Sequence, residues 1–145
     1  MANKVFNTDK RIKLGVWGLG RGGDLIACCK ALNIDVVAGC DFNEHIRENF
    51  RKHAPDVFLT ADEDEFLAQD MDAVLVATWF MDHAKHSIKA LNAGKHVMCE
   101  VTSFYTPAEA VALVEAVEKS GKVYNLLENY PFMKPNMIAK KLWDD

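Results

Sequence analysis

A glycine-rich turn is the segment of this 145-residue sequence that most clearly indicates chemistry. It follows an apolar alternation over residues 12–16 and reads Gly18-Leu19-Gly20-Arg21-Gly22-Gly23. Between a strand and a helix, the first glycine of such a turn permits a tight bend. The second lets a pyrophosphate approach the backbone, and the third lets helix and strand pack closely. A helix over about residues 24–32 would direct unpaired N–H groups at the anion, so all six turn residues are predicted contacts of a dinucleotide.

A carboxylate follows the second predicted strand, where a dinucleotide site requires one. Asp41 comes about 20 residues after the turn, the spacing at which a carboxylate accepts hydrogen bonds from the adenosine ribose. Its charge also repels a 2′-phosphate, and neither Phe42 nor Asn43 supplies an arginine, so the sequence favours NAD over NADP. Two alternatives stay open: Asp41 only caps the following helix, and Arg21 faces solvent instead of neutralising phosphate charge.

Strand-like and helix-like segments alternate at short spacing along the chain, which predicts βαβ units and a parallel sheet. The predicted strands cover residues 12–16, 34–40, 57–59, 73–77, 96–99 and 122–127. Further helices are predicted from about residues 44 to 52, 62 onward, 82 to 94, 106 to 121 and 135 to 143. The expected fold class is α/β, a doubly wound parallel sheet (Rossmann fold) with six strands in a single domain, in the order 3-2-1-4-5-6.

Several predicted helix ends carry capping signals. Thr106 and Glu109 form a capping box with proline at the first helical position, and Asp82 is a predicted N-cap. The acidic run at residues 62–65 suits the positive end of a helix, so we interpret it as a solvated helix start and not as a metal site. The helix after Thr106 is expected to bury Ala110, Val111, Val114 and Val117.

The second half of the chain carries a more specific pattern. Its segments are Asp72-Ala73-Val74-Leu75-Val76-Ala77-Thr78, then His83, Ala90-Leu91-Asn92-Ala93-Gly94-Lys95-His96-Val97-Met98-Cys99-Glu100, Thr106-Pro107-Ala108-Glu109-Ala110, Ser120-Gly121-Lys122-Val123 and Glu128-Asn129-Tyr130. This pattern resembles the Gfo/Idh/MocA oxidoreductase family over nearly the whole chain. The resemblance implies an N-terminal Rossmann domain followed by an α/β domain that builds the substrate site and oligomer contacts. It also implies oxidation or reduction of sugars, inositols and related polyols with NAD or NADP.

The resemblance adds three residues to the expected cofactor site. Thr78 and His83 follow the fourth strand, where members of the family line the cofactor, and Glu100 ends the fifth strand near the expected nicotinamide. Ligands of open α/β sheets lie outside the carboxyl ends of the strands, which agrees with these positions. The alternatives are that Thr78 only satisfies backbone groups and that His83 is an ordinary residue of a first helical turn.

One departure from the family pattern concerns catalysis. The family usually has Glu-Lys-Pro where this chain has Glu100-Val101-Thr102, and the lysine helps proton transfer at the substrate carbon. Valine neither donates nor accepts a proton, so no catalytic residue is assigned. Lys95 and His96 precede the strand and lie at its opposite end. A minority of relatives without the lysine use bound NAD transiently, in glycosidic cleavage by oxidation, elimination and re-reduction.

The predicted organisation is an NAD-binding domain over residues 1–130 and a helix over 131–145 that leads into a second domain. The apolar tail contains Phe132, Met133, Met137, Ile138, Leu142 and Trp143. It either packs on the sheet, contacts the second domain or contacts another subunit, and in the last case the chain forms a homo-oligomer. We expect the NAD-binding domain of an oxidoreductase for sugar- or polyol-like substrates, catalytically incomplete as this chain. The alternatives are a stand-alone dinucleotide-binding or regulatory module and the transient redox enzyme described above.

Composition excludes several other classes. Half of the residues are hydrophobic and 26% are charged, as in ordinary globular proteins. The net charge of −4 provides no basic face for nucleic acid or a membrane surface, and no apolar segment is long enough to span a bilayer. Residues 1–10 are polar and lack the apolar run of a signal peptide, so we expect a cytoplasmic protein.

Neither the cysteines nor the histidines suggest a metal site. The four cysteines show no Cys-x-x-Cys spacing and are predicted to be buried and reduced: Cys28, Cys29, Cys40 and Cys99. The other candidate ligands, His83, His86, His96 and Glu100, give no four-ligand spacing with them. The predicted ligands are a dinucleotide and a small sugar-like molecule.

Overall fold

Six parallel strands form one sheet in the computed structural model of the chain, which describes residues 8–144 and, of Lys30 and Ala31, only the backbone. The strands are β1 Ile12–Trp17, β2 Ile34–Cys40, β3 Phe58–Thr60, β4 Ala73–Val76, β5 His96–Cys99 and β6 Tyr124–Leu126. Their order is β3-β2-β1-β4-β5-β6, which confirms the doubly wound α/β fold. The strand order reverses beside β1, so a crevice forms there at the carboxyl ends of the strands.

Within residues 8–144, six α-helices connect and flank the strands. They are α1 Leu19–Leu25, α2 Glu44–His53, α3 Glu63–Leu67, α4 His83–Asn92, α5 Pro107–Ser120 and α6 Lys134–Asp144. Short 3-10 segments cover Ile26–Ala31, Phe80–Asp82 and Tyr130–Phe132. Among residues 8–144, no helix combines the length and the apolar composition that crossing a bilayer requires.

The first helix begins earlier than predicted. It starts at Leu19, inside the glycine turn, and from Ile26 the chain continues only as a 3-10 segment. Gly18 explains this start, because its left-handed conformation (φ 93°) turns the chain directly at the end of β1. The Gly22 amide then donates to the Gly18 carbonyl oxygen at 3.1 Å, so the turn itself forms the first helical turn.

The capping predictions have different outcomes. The capping box at Thr106 and Glu109 is confirmed: each side chain accepts a hydrogen bond from the other residue's amide. Asp62 caps α3 by accepting from two amides at 2.8 Å, which confirms the acidic run as a helix start. The cap predicted at Asp82 is wrong, because its side chain makes no capping hydrogen bond. The preceding 3-10 segment brings the chain to Asp82 already in a helical conformation (φ −98°, ψ −2°).

The buried face of α5 also differs from the prediction. Leu113 and Ala116 are buried and join the core beside Leu91 of α4. Of the four residues predicted to be buried, Ala110 and Val117 are partly buried, whereas Val111 and Val114 are exposed. Apolar residues occupy more than one face of this helix. The sequence pattern therefore did not determine which face meets α4.

The core lies in two layers, one on each face of the sheet. One layer contains Trp17 and Phe66, and the other contains Leu14 and Phe50. The apolar residues predicted in the tail lie on the surface and do not pack against the sheet: Phe132, Met133, Met137, Ile138, Leu142 and Trp143. The absence of a signal peptide was argued from residues 1–10, of which the first seven lie outside the described residues.

All four cysteines are free thiols. Cys29, Cys40 and Cys99 are buried as predicted, but Cys28 is exposed because it lies on the outer side of the 3-10 segment after α1. Burial raises the pKa of Cys40 to about 12. Cys40 is therefore a neutral core side chain near neutral pH and not a nucleophile.

Candidate functional site

The carboxyl ends of β1, β2 and β4 surround a cavity of about 410 Å³. Five of the residues predicted from the sequence line it: Gly18, Gly20, Arg21, Asp41 and Thr78. The other five predicted residues, Leu19, Gly22, Gly23, His83 and Glu100, lie behind or beside it. A cavity at the point where the strand order reverses is where open α/β sheets bind their ligands.

Gly18 and Gly20 have different roles in the turn: Gly18 packs closely against the neighbouring strands, and Gly20 leaves the backbone accessible from the cavity. The Gly18 amide donates to the Cys40 carbonyl oxygen at 2.8 Å, and a side chain at Gly18 would collide with the carbonyl group of Ala77. At Gly20 the nearest atom to an added Cβ is Cδ1 of Ile46, 4.0 Å away. The space beside Gly20 is therefore open, as the close approach of a pyrophosphate requires.

Gly22, and not Gly23, provides the close packing between helix and strand. An added Cβ at Gly22 would lie only 2.5 Å from Cγ1 of Val16, whereas at Gly23 it would make an ordinary 3.5 Å contact with Phe50. Gly23 is the third glycine of the Gly-x-Gly-x-x-Gly motif, so the close packing predicted at that position is made one residue earlier, at Gly22. Because α1 begins at Leu19, Gly22 faces β1 and Gly23 is turned toward α2.

The Asp41 carboxylate is buried and braces the glycine turn. Its Oδ2 accepts from the Leu19 amide and its Oδ1 from the Asn43 amide, both at 2.9 Å. Asn43 is the N-cap of α2, so Asp41 is not. Each carboxylate oxygen has a second lone pair that can accept from a ligand hydroxyl. Arg47, which the sequence analysis missed, donates to the Asp41 carbonyl oxygen at 2.7 Å.

Arg21 pairs with Glu100 across the end of the sheet. The distance between Nη2 of Arg21 and Oε1 of Glu100 is 3.4 Å, and the arginine is half-exposed while the glutamate is buried. Oε2 of Glu100 has no hydrogen-bond partner in the described part of the chain. A buried, unpaired carboxylate oxygen is uncommon in native proteins, and a donor on a bound ligand would satisfy it.

His86 is a cavity residue that the sequence analysis treated only as a metal-ligand candidate. Its Nδ1 lies 2.8 Å from Oγ1 of Thr78, its Nε2 faces Oε1 of Glu63 at 3.5 Å, and its ring stacks on Trp17. Burial lowers the pKa of His86, so the ring is neutral near pH 7. With the proton on Nε2, facing Glu63, Nδ1 accepts from the Thr78 hydroxyl. His86 therefore fixes the direction of that hydroxyl.

His83 lies beneath the cavity and links two of its loops. Its Nδ1 is 2.8 Å from the carbonyl oxygen of Thr102, and its Nε2 is 3.1 Å from that of Thr78. Burial acts to lower the pKa of His83, but hydrogen bonding with Cys99 and these two carbonyls raises it above its ordinary value. The ring thereby joins the loop after β4 to the loop after β5.

The position after Glu100 offers no proton donor or acceptor. Val101 is partly exposed, and its peptide bond to Thr102 is cis. His96 begins β5 and Glu100 follows its end, so Lys95 and His96 lie at the opposite end of the strand from the cavity. Across residues 8–144, no three His, Cys, Asp or Glu side chains converge as a metal site would require.

Comparisons with known proteins agree with the α/β fold of the chain. The family model for Gfo/Idh/MocA, described as an oxidoreductase family with an NAD-binding Rossmann fold, matches residues 12–127. An inositol 2-dehydrogenase/D-chiro-inositol 3-dehydrogenase from Shouchella clausii is 35% identical over 116 residues, covering 77% of this chain and 34% of the relative. An inositol 2-dehydrogenase from Klebsiella pneumoniae is 32% identical over 143 residues, covering 92% of this chain and 42% of the relative.

A solved structure shows the same fold. The crystal structure of an NAD-binding protein from Listeria innocua is similar with a TM-score of 0.86 and 26% identity, over 93% of this chain and 40% of that one. The chain therefore spans less than half the length of the relatives that it matches.

Proposed function

Because the chain belongs to the Gfo/Idh/MocA family and forms its NAD-binding Rossmann domain, we propose that NAD binds in the cavity between β1, β2 and β4. The observation that carries this proposal is the open backbone at Gly20 beside the buried carboxylate of Asp41. The turn leaves room for a pyrophosphate, and the carboxylate lies where ribose hydroxyls can donate to it.

Charge around Asp41 supports NAD in preference to NADP. A 2′-phosphate would lie against the buried carboxylate of Asp41, in a cavity that Glu63 and Asp82 also line. Arg47 is the basic residue next to Asp41, and its Nη1 already donates to the Asp41 backbone. Since repulsion from the carboxylate would weaken NADP binding, the cavity fits a free ribose better than a phosphorylated one.

Arg21 and Glu100 would hold the part of the cofactor nearer β5. The guanidinium of Arg21 adds positive charge to the turn, where the pyrophosphate is expected. The unpaired oxygen of Glu100 can accept from a hydroxyl or amide of the cofactor. Bound NAD would supply a hydride acceptor there, while His83 keeps the two loops together.

For the whole protein, we propose oxidation or reduction of a polyol or sugar-like substrate. Relatives that are 32–35% identical to the chain support this proposal, because they are inositol dehydrogenases; the chain spans 34–42% of their length. Val101 stands where the family usually has the lysine that transfers a proton. This difference favours two other candidates, a binding module without chemistry of its own and a transient redox enzyme. Hydride transfer to NAD in the presence of inositols, measured through NADH absorbance on a protein that includes the second domain, distinguishes a dehydrogenase from a binding module.

Two further proposals concern the setting of the protein. The four free thiols support a reducing, cytoplasmic location. The exposed apolar side chains of α6 support a contact with a second domain or a second copy of the chain. We propose residues 131–145 as the connection to that domain.

Calorimetric titration of the purified chain with NAD and NADP tests the binding proposal. We expect NAD to bind at least about tenfold more tightly than NADP, because the 2′-phosphate must approach Asp41. Equal affinities would overturn the preference for NAD. Absence of any NAD binding would overturn the proposed function itself.

A further inference from the structure

Two large aromatic side chains border the cavity and are exposed to solvent. Phe42 follows β2 and is 91% exposed, and Trp79 follows β4 and is 64% exposed. β1 lies between these two strands in the sheet, so the aromatic residues stand on opposite sides of the cavity. Phe42 packs on no other ring within residues 8–144, whereas the Trp79 ring contacts that of Phe80 at a centroid distance of 4.6 Å and an interplanar angle of 50°. Exposed apolar surface of this size beside a cavity is typical of a ligand-binding groove.

Asp82 is the carboxylate of the cavity that remains available to a ligand. It lies three residues after Trp79, in a tight turn closed by a hydrogen bond from the Asp82 amide to the Trp79 carbonyl oxygen at 2.8 Å. No hydrogen bond or ion pair reaches its carboxylate from the described part of the chain, and it does not cap α4. By contrast, Asp41 accepts from two amides, and Glu63 is paired with Lys89 at 2.8 Å.

We propose that the turn from Trp79 to Asp82 recognises the adenine base of the dinucleotide. The ring of Trp79 stacks on the base, whose other face meets Phe42, and the Asp82 carboxylate accepts a hydrogen bond from the 6-amino group. This inference rests on the proposed function. Asp41 indicates that the base lies at this end of the cavity. The ribose that Asp41 would bind carries the adenine, and Phe42 directly follows Asp41 in the sequence.

The two contacts have different chemical selectivity. Stacking on an aromatic ring tolerates any base, because every base has a π-face. A carboxylate accepts hydrogen bonds and donates none, so it favours the 6-amino group of adenine over the 6-oxo group of hypoxanthine. Trp79 therefore contributes affinity, and Asp82 contributes selectivity for the base.

Titration with NAD and with nicotinamide hypoxanthine dinucleotide separates these contributions. We expect the wild-type chain to bind NAD roughly tenfold to hundredfold more tightly, as for a hydrogen bond to a charged group. Asp82→Asn should bring the ratio close to one, because a carboxamide both donates and accepts. Trp79→Ala should weaken both dinucleotides by the same factor, roughly fivefold to hundredfold.

Asp56→Asn is the matched control, since it removes one exposed carboxylate outside the cavity and should leave both affinities unchanged. A wild-type ratio near one, or a ratio that Asp82→Asn does not change, overturns the inference and leaves NAD binding intact. Failure of the wild-type chain to bind either dinucleotide overturns the proposed function together with the inference.

Discussion

Nη2 of Arg21 lies 3.4 Å from Oε1 of Glu100, so the glycine turn after β1 and the residue after β5 face each other across the end of β4. The buried carboxylate thereby receives partial charge compensation from a half-exposed guanidinium. The sequence predicts both residues in the cofactor site but does not pair them, because they are far apart along the chain. In the proposed complex with NAD, Arg21 would provide a cation for the pyrophosphate and Glu100 an acceptor for the nicotinamide half.

Replacement of Arg21 should weaken NAD binding without unfolding the chain. In Arg21→Ala the pyrophosphate loses a cation and also meets an uncompensated Glu100, so we expect a loss of roughly fivefold to thirtyfold in affinity. Arg11→Ala is the control, because Arg11 pairs with Asp35 outside the cavity. Equal NAD affinities of the two variants in calorimetry would contradict a role for Arg21.

Removal of the Asp41 side chain should affect both stability and cofactor choice. Asp41→Ala leaves the amides of Leu19 and Asn43 without their acceptor, which should lower the free energy of unfolding by about 1–3 kcal/mol. It also removes the repulsion toward a 2′-phosphate, so the preference for NAD over NADP should shrink. Denaturant unfolding and titration with both dinucleotides measure the two effects. An unchanged preference would show that Asp41 does not contact the ribose.

Much of the fold followed from local signals. The strand order was predictable because apolar runs alternate with helices along the whole chain. The capping box at Thr106 was predictable because Thr, Pro and Glu stand at fixed spacing within a few residues. The start of α1 was not, because Gly18 sets it through a left-handed backbone conformation that the sequence does not display.

Site residues that belong to a sequence motif could be predicted. Residues that reach the site through packing between distant parts of the chain were harder to predict. Gly20 and Asp41 lie at the cavity as their spacing predicts. The role of His86 depends on Trp17 and Thr78, which contact it from other parts of the chain. The three-residue spacing of His83 and His86 on one helix was the available signal, but it did not show which ring would reach the cavity.

The buried ring of His83 should make stability depend on pH. Its pKa is raised in the folded chain, so the stabilisation is complete below the ordinary value of about 6.5 and is lost as pH rises through the raised value. A neutral ring leaves one nitrogen lone pair against a carbonyl oxygen of Thr78 or Thr102. The free energy of unfolding should therefore decline above about pH 6.5.

Urea unfolding at several pH values measures this dependence. In His83→Gln, the decline of the free energy of unfolding with pH should be smaller than in the wild type. His86 contributes with the opposite sign because burial lowers its pKa, so each variant is compared with the wild type at the same pH. His53→Gln, on the exposed side of α2, is the control and should retain the wild-type slope. The same slope in His83→Gln would show that the two carbonyls do not hold a protonated ring.

NAD is proposed to lie against the open backbone of the glycine turn, and a side chain added at Gly20 would block that position. An alanine there meets only Ile46, at 4.0 Å, so Gly20→Ala should fold with an unchanged thermal midpoint while its methyl group occupies the path of the pyrophosphate. In a calorimetric titration with NAD, we predict binding by the wild type and at least about tenfold weaker binding by Gly20→Ala. A folded Gly20→Ala variant that binds NAD as tightly as the wild type would show that the pyrophosphate does not lie against the turn.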